Sequence, residues 1–165
     1  MADTGSLRKS GTYLPGVFLR LTSGERLQDL SDLKHLKQEI LDNISLIFNS
    51  CSRPGPDELG NDPYIIYSVL GFGIGNFCGR QSSEETVNGI CRQIREQIIH
   101  FEPRLDPKSV LVEAKNSDGQ RRNSLTVSVS ARISQNPFSA DEVNCRFVLD
   151  LETGIPRLDQ AGGRT

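Results

Sequence analysis

The apolar residues change their period once, at Pro107, and that change decides the class of fold. Upstream they recur every three to four residues. Leu33, Leu36, Ile40, Ile44 and Ile47 form one stripe, widened by Leu41 and Phe48, and Val87, Ile90, Cys91, Ile94, Ile98 and Phe101 form another. That spacing collects one face of a helix. Downstream the apolar residues alternate. "SVLVEAK" runs from Ser109 to Lys115, and "SLTVSVSARI" puts Leu125, Val127, Val129, Ala131 and Ile133 on one side. "CRFVLDLETG" follows with Phe147, Leu149 and Leu151 on one side. A period of two describes strands with a buried and a polar face. Helices first and strands afterwards, with a hairpin tip at Asp118-Gly119, predict an α+β domain. Its N-terminal helices pack on one face of a small, mainly antiparallel sheet of three to four strands, with "TGIPRL" as a short last edge.

Local signals place the ends. Ser31-Asp32 opens the first long helix, and Asp62-Pro63 is an N-cap with proline at the first helical position, for a short helix reaching Leu70. Ser82 and Glu85 are spaced as a capping box for the second long helix. Lys34, Lys37, Glu39, Asp42 and Asn43 fall opposite the first stripe, and Arg92, Gln93, Arg95, Glu96 and Gln97 face outward from the second. "QNPFSADEVN" reads as a loop. Nearer the N-terminus, Leu14, Val17, Phe18 and Leu21 sit at i, i+3, i+4 and i+7. A helix this short is unstable alone, so it docks on this domain's core or on another chain. The expected organisation is a flexible tail over 1–12, one domain over 13–158 and a flexible tail over 159–165.

With 165 residues, 36% of them apolar, the chain can bury a real core. The formal charge of −2 and the lack of a basic stripe argue against nucleic acid as a partner. Apolar runs are only a few residues long and "MADTGSLRKSG" has no apolar signal core, so a cytoplasmic protein with no membrane insertion is expected. Cys51, Cys78, Cys91 and Cys145 form no CxxC pair, and His35 and His100 do not sit near them at zinc-ligand spacing, so no metal or other cofactor is expected. "GFGIGNFCG" fits neither a dinucleotide fingerprint nor a Walker A loop. It reads as a tight connection in which Ile74 and Phe77 plug the core. Acidic residues are numerous, but Glu84 and Glu85 belong to a helix start and Asp106 and Glu152 to turns. With no tryptophan and three tyrosines there is little to stack a sugar against. An enzyme is not expected.

"IIHFEPRLDP" remains. The second stripe runs into Glu102-Pro103-Arg104 and stops at Pro107. On residue chemistry alone, Glu102 and Arg104 make an exposed ion pair closing a helix end, of about 0–1 kcal/mol. Four segments carry a resemblance that changes this reading: "YLPGVFLRLT", "LKQEILDNISLIFNSC", "YSVLGFGI" and, most specifically, "IREQIIHFEPRLDPKSVLV". Together they resemble the baseplate wedge subunits of contractile injection machines, a family that includes the type VI secretion subunit TssE and the corresponding phage-tail wedge protein. The likeness covers about residues 13–152, and the N-terminal helix and length favour the secretion branch. The chain departs from the family pattern at Cys51, Gly71 and Gly75-Asn76. The resemblance implies a structural role, with attachment to large wedge subunits of the TssF, TssG and TssK type and a sheet that seeds sheath assembly. It implies partner contacts at Glu102, Pro103 and Arg104, and on Leu14, Phe18 and Leu21 of the N-terminal helix. A small regulatory adaptor of the same fold and a peptidoglycan hydrolase are the alternative functions.

Overall fold

The first stripe becomes helix α1, Leu33–Asn49, and Leu36, Ile40, Ile44, Ile47 and Phe48 on it are buried. The structure is a computed structural model, and it describes residues 33–50, 53–55, 58, 62–81, 83–116, 123–134 and 140–159. Leu14, Val17, Phe18, Leu21, Ser31-Asp32, Cys51, Ser82, Asp118-Gly119 and both expected tails apart from Asp159 lie outside the described residues.

A one-turn helix α2, Pro63–Ile66, follows. Its Asp62 cap accepts from the Tyr64 N–H at 2.9 Å, as the Asp-Pro signal requires. The expected run to Leu70 is broken. Ser68 Oγ donates to the Ile65 carbonyl at 2.7 Å and accepts from the Leu70 N–H at 3.2 Å. A serine that bonds local backbone in this way competes with the helix, and the chain restarts as a 3-10 turn over Val69–Gly71. Gly71 is obligatory here because a Cβ would collide with the Ile66 carbonyl. Gly73 is obligatory twice over: its φ is 98°, and a Cβ would strike Ser50. These glycines let Ile74 and Phe77 turn into the core, where both are buried.

Helix α3 spans Glu84–Phe101 and is capped by Ser83, which accepts from the Thr86 N–H. The cap therefore lies one residue after the expected Ser82. Gln97, expected to face outward, is buried, and its Oε1 accepts from the Gly73 N–H at 2.9 Å. It satisfies a backbone donor that the glycine connection brings into the interior.

Four strands complete the domain: β1 Leu111–Asn116, β2 Ser124–Arg132, β3 Glu142–Asp150 and β4 Pro156–Leu158. They form one antiparallel sheet in the order β1-β2-β3-β4, so the fold is the expected α+β arrangement. Val112, Val129 and Cys145 share one row across the sheet, and Ala114, Val127 and Phe147 the next. Those rows face the helices. Phe48 of α1 stacks on Phe147 of β3 with ring centroids 3.9 Å apart. β3 begins at Glu142, inside the stretch read as a loop, because the inward alternation starts at buried Val143 and not at Cys145. Burial pushes the Cys145 thiol up to about 12, while Cys78 is exposed. Cys91 is half-buried, and burial raises its thiol too.

Candidate functional site

The corner between α3 and β1 is held from three sides. At the end of α3 the Glu102 N–H still donates to the Ile98 carbonyl, at 2.9 Å. The following proline forbids a further turn, and Glu102 leaves at φ −125° and ψ 74°. The chain then runs alongside the end of β2. Leu105 bridges to Ile133, the Asp106 N–H donates to the Arg132 carbonyl at 2.9 Å, and the Ser134 N–H donates to the Arg104 carbonyl at 2.7 Å. Ser134 Oγ also donates to the Arg104 carbonyl, at 2.9 Å. Ser109 ties the far side by donating to the Asp106 carbonyl and accepting from the Arg132 N–H, each at 2.8 Å. Leu105, at 1% exposure, plugs the corner into the core. Arg95 of α3 closes the entry to β1 by donating to the carbonyls of Val110 and Pro107 at 3.0 and 3.3 Å.

Inside this frame the charged pair is buried, against the exposed pair expected from residue chemistry. The Glu102 side chain has 0% exposure and that of Arg104 18%. Arg104 grips Glu102 with both sides of its fork, Nε to Oε1 at 2.6 Å and Nη2 to Oε2 at 2.7 Å. Its Nη1 donates to Glu39 Oε2 of α1 at 2.8 Å. Asn43, one turn further along α1, donates from Nδ2 to Glu102 Oε2 at 2.9 Å. The side-chain hydrogen bond to Glu102 pushes the Arg104 guanidinium further up, and the charges of Glu102 and Glu39 add to it against the opposing effect of burial. Planar bidentate pairing of this kind fixes geometry as well as charge. These contacts use three of the guanidinium's five N–H groups. Pro103 is exposed and forms the outer crest of the corner.

The structure thus joins two of the residues expected at the site, Glu102 and Arg104, and sets the third, Pro103, outside them. Leu14, Phe18 and Leu21 lie outside the described residues. Glu39 and Asn43, expected on the solvent side of α1, both turn to the corner. The signal was present. They are four residues apart and each adjoins a buried isoleucine, Ile40 or Ile44, so they flank the apolar stripe instead of opposing it.

No group of three or more His, Cys, Asp or Glu side chains able to hold a metal occurs among the described residues. Glu84 and Glu85 are exposed in the first turn of α3, where carboxylates favour the helix dipole. No helix of the described residues is long and apolar enough to cross a membrane.

The described residues thus form an α+β domain with a salt-bridged helix-to-strand corner beside a four-stranded antiparallel sheet. Residues 34–137 match the family described as baseplate wedge protein gp25. The match covers more than half the chain, which belongs to that family. Among curated proteins no sequence matches it. The family is a structural one whose members work with other baseplate components of contractile tails.

Proposed function

We propose that the chain is a non-enzymatic wedge subunit of a type VI secretion baseplate, working in the cytoplasm. It joins large wedge subunits of the TssF, TssG and TssK type through the corner and seeds the sheath through its sheet. The observation that carries this reading is the buried fork between Arg104 and Glu102. A buried ion pair gives little net stability over an apolar substitute, and its best-attested use is to fix one arrangement. Here it holds the Pro103 crest against α1, α3 and the end of β2. A crest held in one shape loses little entropy when a partner closes over it. The N–H groups of Arg104 beyond those used internally suit partner carbonyls at the same place. Leu14, Phe18 and Leu21 add a second, apolar contact.

The sheet supports the second half of the proposal. Among the described residues it is open, with β1 and β4 at its edges. β4 has three residues and starts with a proline, whereas β1 has six and no proline. A longer edge offers more main-chain donors and acceptors to an added strand, so β1 is the edge that suits a sheath strand.

The test is affinity purification of the tagged chain from its own cells. Recovery of large wedge subunits and sheath protein is expected, together with no clearing of a peptidoglycan suspension by the purified chain. Recovery of a regulator in their place, or clearing that one acidic substitution abolishes, overturns the proposal.

A further inference from the structure

The crest of the corner does little to hold itself. Pro103 has no N–H, and among the described residues its carbonyl meets only Ser134 Oγ, at 3.5 Å. The stronger backbone ties end at the Glu102 N–H and resume at the Arg104 carbonyl, so they bracket the crest without reaching it. The fork between Glu102 and Arg104 joins the two neighbours of Pro103 to each other, at 2.6 and 2.7 Å, and closes a small loop around the crest. A closed loop can still tilt as one piece between those ties. What stops it lies on α1. Asn43 donates to Glu102 Oε2 at 2.9 Å, and Glu39 accepts from Arg104 Nη1 at 2.8 Å. One clamp holds the residue before the crest and the other holds the residue after it. The clamps stand about 6 Å apart along the axis of α1. One anchor permits pivoting about itself, whereas two anchors at this separation set an orientation.

Resting on the attachment reading above, we infer that Glu39 and Asn43 are positioning residues of the wedge-binding crest. α1 sets the angle at which Pro103 and the remaining N–H groups of Arg104 meet the partner. Neither Glu39 nor Asn43 needs to touch that partner. Both are half-buried and adjoin Ile40 and Ile44, whose complete burial fixes the helix that carries them. A binding surface held to a fraction of an ångström needs supports whose own rotamers are locked by packing in this way. The clamps also tie attachment to a finished fold. A chain in which α3 and the sheet have formed but α1 has not docked carries Glu102-Pro103-Arg104 without an oriented crest, so only the completed domain presents it.

NMR of the Arg104 guanidinium in the full chain reads one clamp without any partner. With Nη1 held by Glu39, its two hydrogens give separate signals in the native chain. In Glu39→Ala they merge as Nη1 rotates, while the Nε–H bonded to Glu102 keeps its shift. Recovery of the large wedge subunits by tagged chains from their own cells then reads positioning. Glu39→Ala and Asn43→Ala each recover them about tenfold less than Ile90→Val does, a loss of about 1.4 kcal/mol of binding. Ile90→Val is the control for stability alone. Ile90 is 1% exposed and lies about 18 Å before Glu102 along α3. Losing one methylene there lowers stability by an amount similar to the loss of one hydrogen bond, without touching the corner. Equal recovery by these three variants, with Pro103→Glu alone losing the partners, overturns the inference and leaves the α1 contacts as packing. So do Nη1 hydrogens already merged in the native chain. If Pro103→Glu also recovers the partners at the native level, the attachment reading itself has failed and the inference falls with it.

Discussion

The corner at Glu102–Arg104 and the segment at Tyr64–Leu70 invert each other. At the corner, a carboxylate with no exposure and a largely covered guanidinium sit where apolar residues would be expected. On the segment, valine, leucine and tyrosine stand in solvent where polar residues would be expected. Both depart from the pattern that gives the rest of the domain its stability, and in opposite ways. The corner uses buried charge to fix a shape. The segment leaves apolar surface uncovered on a fixed backbone. A domain built only to be stable needs neither, so both are where assembly is to be sought.

The comparison is broken most severely at Arg104. Arg104→Ala leaves a fully buried Glu102 with only Asn43 among its side-chain partners, and such a loss costs about 3–5 kcal/mol. Thermal melting falls by on the order of 10 °C in a domain of this size. A fall of only a degree or two returns the pair to the rank of a surface salt bridge. Arg104→Lys falls between, because a point charge satisfies one carboxylate oxygen and not the fork. Asn43→Ala comes next, at about 1–2 kcal/mol for one hydrogen bond to a buried carboxylate. Equilibrium urea unfolding resolves it, and an unchanged midpoint means that α1 does not hold the corner.

On the segment the opposite is expected. The double variant Val69→Ser, Leu70→Ser removes more apolar surface than any corner substitution, yet it shifts urea stability by about 0.5 kcal/mol or less per site. A loss of 2 kcal/mol or more places these side chains in a stabilising core. The smallest effect belongs to Lys37→Ala. Lys37 meets Asp141 at 3.2 Å, but both side chains are about one-third exposed. Such a pair is worth about 0–1 kcal/mol. Melting stays within a few degrees, and a larger loss would make the corner's burial an insufficient account of its strength.

Periodicity carried most of the fold. The stripes of α1 and α3 and the alternation of β2 placed the helices, the sheet and the order of layers, because burial acts on those patterns directly. Ends were read less well. Ser83 took the cap expected of Ser82, and Ser68 cut a helix expected to reach Leu70, since neighbouring serines differ only in local hydrogen bonds that the pattern does not record. The corner was found as a motif, but its burial was not. Whether Glu102 and Arg104 are surface or interior depends on Glu39 and Asn43, which are 59 or more residues away in the chain and arrive only when α1 packs against the end of α3. Gln97 was misplaced for the same reason: its partner is a glycine amide from another segment.

The central claim is that the crest of the corner is the attachment surface of a wedge subunit, and Pro103→Glu tests it most directly. The substitution leaves Glu102, Arg104, Glu39 and Asn43 in place. It costs about 0.4–1 kcal/mol through the unfolded chain and puts a charge on the exposed crest. Tagged variant and native chain are compared for melting and for recovery of the large wedge subunits. The account predicts a variant that melts within a few degrees of the native chain and recovers the partners at least 30-fold less, as expected from losing about 2 kcal/mol of binding at an interface anchor. A variant that recovers them at the native level contradicts it, and leaves the corner as a joint that only holds α1, α3 and the sheet together.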